Sequence, residues 1–338
     1  MLSDSKVEIT ETVFLSNTAD YGGGLIAYDK IHVSQGLFEG NIGLEDGGGI
    51  YAVDDIKLTH SSFLNNTAIF RGGGLYATDI TLVVDSTFVG NSALKGNGGG
   101  INITIPVING VYEDQLAGGD PGLVMTRTHF IGNTAMEFGG GISAYQSLSI
   151  HSSTFIGNEA NYGGGYYQGT GDALFINTLF AKNTALTAAS VIAWDSPGDL
   201  SILHATIVGD TQDNPSAIGI FDGSLWLANS IVTQFIIGIR NIGGIVNQDY
   251  NLFYQNDTDI DGTYTGGTHN VDGNPNFIAP ENNNYHLGPS SAALDMGTDV
   301  GIAFDVDGHP RPYGLGFDVG YDEANFIPQD IYLPMIER

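Results

Sequence analysis

Apolar residues recur along this chain in short alternating runs rather than along helical faces. Ile50 and Ala52 alternate with Tyr51 and Val53, and Leu75 and Ala77 alternate with Tyr76 and Thr78. A period of two belongs to strands with one face turned inward. The runs are three to five residues long and are separated by Asn and Gly turns. No amphipathic helical stretch interrupts them, which excludes helical and leucine-rich repeats.

Two landmarks repeat in phase with these runs. Phe-x-x-Asn occurs at Phe14/Asn17, Phe38/Asn41, Phe63/Asn66, Phe88/Asn91, Phe130/Asn133, Phe155/Asn158, Phe180/Asn183 and Phe253/Asn256, with degenerate copies at Ile207/Asp210 and Ile231/Gln234. The first seven Phe positions lie 24, 25, 25, 42, 25 and 25 residues apart. Glycine triplets at 22–24, 47–49, 72–74, 98–100, 139–141 and 163–165 keep the same phase. A period near 25 means a stacked, quasi-one-dimensional fold. Three short strands per period make it an all-β, right-handed parallel β-helix of about ten coils, roughly 50 Å long at ~4.8 Å per coil. Phe and the aliphatics stack inside, Asn bonds from coil to coil, and Gly serves tight turns and close coil contacts.

The spacings also set boundaries. The helix is expected over 1–270. The single 42-residue spacing marks an insertion at 105–121, and insertions in repeat proteins fall on one face, often the binding face. Residues 271–323, rich in proline and lacking a glycine triplet, read as a terminal coil and cap, which an open stack needs at its edge. Residues 324–338 read as a linker and tail.

Composition narrows the function. Ten basic residues against 38 acidic give a formal charge of −28, which opposes nucleic acid and anionic membranes as partners. No cysteine is present, removing disulfides and thiolate chemistry. No apolar run approaches ~18 residues, so direct membrane insertion is not expected. The start, MLSDSKVEITETVF, opens on the repeat without a signal peptide, as though an export signal had stood upstream.

The paired Gly-Gly-Gly-Ile/Leu and Phe-x-x-Asn motifs resemble the repeats of bacterial polymorphic outer-membrane proteins and pectate-lyase-like β-helix proteins. Asn274-Pro275-Asn276-Phe277, Leu287 to Gly297, Asp305-Val306-Asp307-Gly308-His309-Pro310-Arg311-Pro312 and Asp318-Val319-Gly320-Tyr321-Asp322-Glu323 resemble the end of the bacterial choice-of-anchor β-helix domain. One departure is Ser291-Ala292-Ala293-Leu294, where the family shows Ser-Pro-Ala-Ile. The resemblance implies an extracellular or cell-surface bacterial protein. The fold carries over better than any activity.

Three constellations could carry chemistry. Asp29, Asp54, Asp79, Asp195 and Asp222 follow their coils' glycine landmarks, and such an oxygen-only ladder would suit Ca²⁺; the alternative is that each Asp begins a turn by bonding its own backbone. With Ile50, Leu75, Ile142, Tyr166 and Val191 inward, alternation turns Tyr51, Tyr76, Tyr145, Tyr167 and Trp194 outward, with Tyr28 and Phe221 extending the row. Exposed rings pack on the apolar faces of sugars, so a polysaccharide or cell-surface glycan is the expected partner. The third is a lyase-like or hydrolase-like site at the insertion, drawn from Lys95, Arg127, Glu113, Asp114 and Asp120. The Asp305/Asp307/Gly308 group reads as a cap-fixing turn, with Ca²⁺ as the alternative. Histidines do not cluster; the position shared by His60, His204, Arg127 and Asn177 reads as a variable, solvent-facing corner, and no His metal site is expected. The leading expectation is a non-catalytic glycan-binding β-helix, with a polysaccharide-active enzyme second and a passive spacer third.

Overall fold

The computed structural model describes residues 7–104, 107–108, 111–112, 123–209 and 216–324. It is an all-β, right-handed parallel β-helix of about nine turns. Through Thr184–Ala188 each turn contributes one strand to each of four sheets, and among the described residues the later turns give none to the third. Sheet 1 runs from Val7–Thr10 through eleven strands to Thr265–Gly266, and sheet 2 from Val13–Leu15 through eleven to Val271–Asp272. Sheet 3 holds seven short strands, from Thr18–Ala19 to Thr184–Ala188; sheet 4 holds ten, from Leu25–Ala27 to Thr258–Asp261. The sequence reading expected three strands per coil. The fourth follows the landmark Asn and is in most coils a two-residue step such as Thr67–Ala68, too short to show a period of its own.

Register places equivalent residues one above another. Phe63 pairs with Phe38 and Phe88, so their rings stack inside the tube with centroids 4.8 and 4.5 Å apart. Beside the rings runs a buried amide ladder. Asn66 Oδ1 accepts from the backbone N–H and Nδ2 of Asn41, while its own Nδ2 donates to Phe38 O and Asn91 Oδ1. A buried amide survives only with its partners supplied, and here the coil above and the coil below supply them. Glycine is required where the coils nearly touch. A Cβ on Gly73 would lie 2.4 Å from Ser92 N and 2.5 Å from Gly99 O. The corner between sheets 1 and 2 needs one left-handed residue per coil, and Glu11, Gln35, His60, Asp85, Arg127, Ser152, Asn177, His204 and Asn229 adopt φ of 46–55° there.

The last described segment does not simply close the end of the tube. An antiparallel pair, Phe277–Ala279 with Asn284–Leu287, begins a cap that folds back along the outer face of sheet 2. Tyr285 and Tyr321 pack on Leu179, Ala181 and Val208, while Leu287, Ala293 and Val319 pack on Ile231 and Leu252. Polar contacts pin the same seam. Asn177 Nδ2 donates to Phe304 O at 2.7 Å, Asn229 exchanges two bonds with the Thr298 backbone, and Arg311 Nη2 donates to Asn177 Oδ1. Arg311 and Glu323, both fully buried, pair at 2.8 Å. The corner column is therefore not uniformly solvent-facing. Asn177, His204 and Asn229 are buried, because the cap covers the corner at those coils.

Candidate functional site

The outer face of sheet 4 carries the aromatic row, in two groups. In each three-residue strand the outer two side chains join the core and the middle one points out, as Tyr51 does between Ile50 and Ala52 and Tyr76 between Leu75 and Ala77. Toward the N-terminal end, Tyr51 and Tyr76 stack at 4.8 Å with planes 5° apart, and Tyr21 lies 5.0 Å from Tyr51 at 59°. Rings stacked in this way cover one another's faces and turn edges and hydroxyls outward. Free ring surface comes from Tyr21 and Tyr28, which are 42% and 68% exposed. Tyr28 neighbours Tyr51 closely enough to act on it electrostatically. Tyr76 is covered by Arg71, whose guanidinium carbon sits 4.8 Å from the ring centroid. Burial pushes the Tyr76 hydroxyl up to about 12, with Arg71 pulling the other way, so it is a neutral donor at every physiological pH.

Arg71 is itself held by Asp46. Its Nε donates to Asp46 Oδ1 at 3.1 Å and Nη2 to Oδ2 at 2.7 Å, and its backbone N–H donates to the same carboxylate. Asp46 is buried and the Arg71 side chain 42% exposed, so a planar, charged pair borders the tyrosines. The sequence reading missed both residues. Their signal was a reach of 25 residues, one coil, between two charges in a chain with few cations.

The second group lies farther along. Tyr145, Tyr162 and Phe138 crowd Tyr167, leaving it nearly covered, and the Tyr167 hydroxyl reaches Asp195 Oδ2 at 3.4 Å. Trp194 does not belong to the row. It is fully buried in the core. Tyr166 pairs with Ile192, not Val191, so Ala193 takes the outward position and Trp194 turns in. The spacing from Tyr166 is one residue longer than the strict repeat, and a one-residue slip reverses every face. Between the two groups stand Asn102 and Ser143, both buried; neither Asn102 amide atom nor the Ser143 hydroxyl has a hydrogen-bond partner among the described residues.

The acid column is spread along the corner between sheets 4 and 1. Asp29, Asp195 and Asp222 are exposed, whereas Asp54 and Asp79 are half-buried. Asp54 accepts from the Asp55 backbone and Asp222 from the Gly223 backbone, the turn-starting role of Asx residues. Burial, then Asp55 and Asp54, raises the Asp79 carboxyl above its ordinary range.

The candidate catalytic residues are dispersed. Glu113, Asp114 and Asp120 lie outside the described residues. Lys95 follows a sheet 3 strand and sits over the Phe70 ring, whereas Arg127 occupies the corner between sheets 1 and 2. Arg127 Nε and Nη2 both donate to Asp85, at 2.6 and 2.9 Å, and that carboxylate holds the guanidinium above its ordinary value. An arginine so fixed anchors anions and is a poor proton acceptor. It borders a cleft of about 490 Å³ between sheet 2 and the cap, lined by Asp85, Thr87, His129, Ser152, Thr154, Val306 and Asp307.

Among the described residues no helix is long and apolar enough to cross a membrane. No family model, curated protein or solved structure matches the chain. Its own geometry therefore establishes what it is at the level of fold, an all-β parallel solenoid of about nine turns.

Proposed function

We propose that this β-helix is a non-catalytic glycan-binding protein, and that it takes the glycan at the N-terminal tyrosine group of sheet 4. One observation carries the reading: two well-exposed tyrosines, Tyr21 and Tyr28, flank a partly exposed Arg71–Asp46 pair and the Tyr51 ring. Sugars need both elements. Ring faces cover the apolar C–H surface, and a fixed planar donor–acceptor pair bonds adjacent hydroxyls. The charge of −28 favours a neutral glycan over a polyuronate. The resemblance of its repeats to surface-exposed bacterial β-helices supports a secreted or surface-held protein. The enzyme reading draws on the cleft beside Arg127, but the Asp85 pair argues against Arg127 as a base.

The test is a panel of neutral and acidic polysaccharides, scored in the same samples for binding and for new reducing or unsaturated ends. The expected result is binding of a neutral glycan without products, weakened by Tyr28→Ala and by Arg71→Ala. Product formation would put the enzyme reading first. Binding unchanged in both variants would move the site elsewhere, and no binding at all would leave a structural spacer.

A further inference from the structure

Sequence reasoning expected no histidine metal site; the fold of the cap nevertheless gathers one histidine and two carboxylates. Ligand atoms of His286, Asp307 and Asp322 all lie within 4.8 Å of one another, although the residues come from three separate segments of the cap. Bonds of 2.0–2.2 Å from nitrogen and carboxylate oxygen to a first-row divalent ion fit that spread.

The hydrogen bonds around His286 fix its tautomer. Asn284 Oδ1 accepts from the His286 backbone N–H at 3.1 Å, which identifies that atom as the oxygen, and it lies 2.7 Å from His286 Nδ1. Nδ1 must then carry a proton and donate it to Asn284. Tyr321 Oη, at 3.3 Å from Nδ1, is the weaker neighbour. A neutral His286 consequently presents the bare lone pair of Nε2 to Asp307 Oδ2, 2.8 Å away. Lone pair against carboxylate is repulsive unless a cation lies between them, either a second proton or a metal ion. Metal-bound histidines characteristically donate their other N–H to a carbonyl oxygen, as here.

The surroundings favour the metal. Asp322 is buried, and its Oδ2 accepts the Leu287 backbone N–H at 2.8 Å. Asp305 and Asp307 stand close enough to act on it electrostatically, and the buried Arg311 is paired with Glu323 instead. Asp305 is held by His309, so one proton on His286 answers one of Asp307 and Asp322, whereas a divalent ion answers both. The imidazole ligand selects against Ca²⁺ and Mg²⁺, which prefer oxygen alone, and in favour of Zn²⁺ and its neighbours.

We propose that His286, Asp307 and Asp322 bind one Zn²⁺-class ion that ties the Asn284–Leu287 strand, the Asp305–His309 turn and the Asp318–Glu323 segment together. Asp305, Asp307 and His309 form a second group within the same 4.8 Å limit and share Asp307, but Asp305 is already held by the backbone N–H groups of Asp307, His309 and Glu323, so His309 serves as the internal control. The experiment uses the untagged chain, stripped with chelator and titrated with Zn²⁺ at pH 7.5 with Ca²⁺ in parallel. Metal per chain is measured after dialysis, and the melting temperature is recorded with and without ion. Expected are one Zn²⁺ per chain, a higher melting temperature reversed by chelator, and no comparable effect of Ca²⁺. His286→Gln and Asp307→Asn should each weaken binding at least about tenfold while keeping the wild-type circular dichroism; His309→Gln should not. The proposal is overturned by absence of stoichiometric Zn²⁺, by equal binding in His286→Gln, or by loss in His309→Gln alone. A His286 imidazole that stays protonated at pH 7.5 in the presence of Zn²⁺, seen by NMR, would assign the second proton instead.

Discussion

The amide ladder makes a prediction whose size can be worked from its hydrogen bonds. In Asn66→Ala the chain loses two bonds accepted from Asn41 and two donated, to Phe38 O and Asn91 Oδ1. Asn41 is fully buried and its backbone N–H has Asn66 Oδ1 as its partner, so truncation strands a donor in the core. Four bonds at about 0.5–1.5 kcal/mol each give roughly 2–6 kcal/mol, and the stranded donor puts the expectation near 4. Asn17 occupies the same position in the first coil but is exposed, and its side chain makes one ladder bond, to Asn41 Oδ1. Asn17→Ala should cost less than about 1 kcal/mol. Urea unfolding gives the totals. Because solenoids need not unfold in one step, native-state exchange of the Asn41 amide supplies the local measure. In Asn66→Ala that amide should exchange at least tenfold faster than in wild type. A loss below about 1 kcal/mol in Asn66→Ala, or equal losses in the two variants, would refute the argument that coil-to-coil amide bonding holds the stack.

Further expectations concern the core, the cap and the surface. Trp194→Ala should destabilise the fold by about 3–5 kcal/mol, as large core truncations do, while leaving glycan affinity per folded molecule unchanged; the two are separated by thermal melting and binding at 10 °C. His204 is buried near Arg311, and burial with that charge holds its imidazole well below its ordinary value. Its contribution is complete above pH ~6.5 and is lost as pH falls below that. Burial pushes the Asp318 carboxyl the other way, up to about 7, so its contribution is lost as pH rises through that value. Melting from pH 7.5 to 5 should therefore show wild type losing ground to His204→Gln as pH falls, and a constant difference would contradict this. Arg127→Ala removes only an exposed pair with Asp85 and should change stability by less than about 1 kcal/mol.

Much of this fold was legible because a repeat states its rule many times. Phe38, Phe63, Phe88 and their partners occupy the core at the stated spacing, and Asn41 to Asn183 form the ladder. Where the rule was counted one residue short, at Val191, the reading placed Trp194 on the wrong face. The candidate site was legible in part: Tyr51 and Tyr76 point outward as expected, but their stacking on each other is a matter of ring rotation that alternation does not encode. The cap seam was not legible at all. Asn177 meets Phe304 across 127 residues and Arg311 across 134, and nothing local in either segment marks the other.

That seam gives the rod a mechanical polarity. Among the described residues, coils near residue 7 are joined to their neighbours alone, whereas four consecutive coils, through Leu179, Val208, Ile231 and Leu252, share one buckle formed by the cap. Tension drawn through the two ends would meet different resistances. The first coils can be unwound one at a time, each release adding about one repeat of slack. The buckled coils cannot be unwound until the buckle opens, and then they are free together. A force trace should show small steps of one repeat, a single longer one where the 42-residue spacing falls, and one large late event, with a weak end that yields and a strong end that holds.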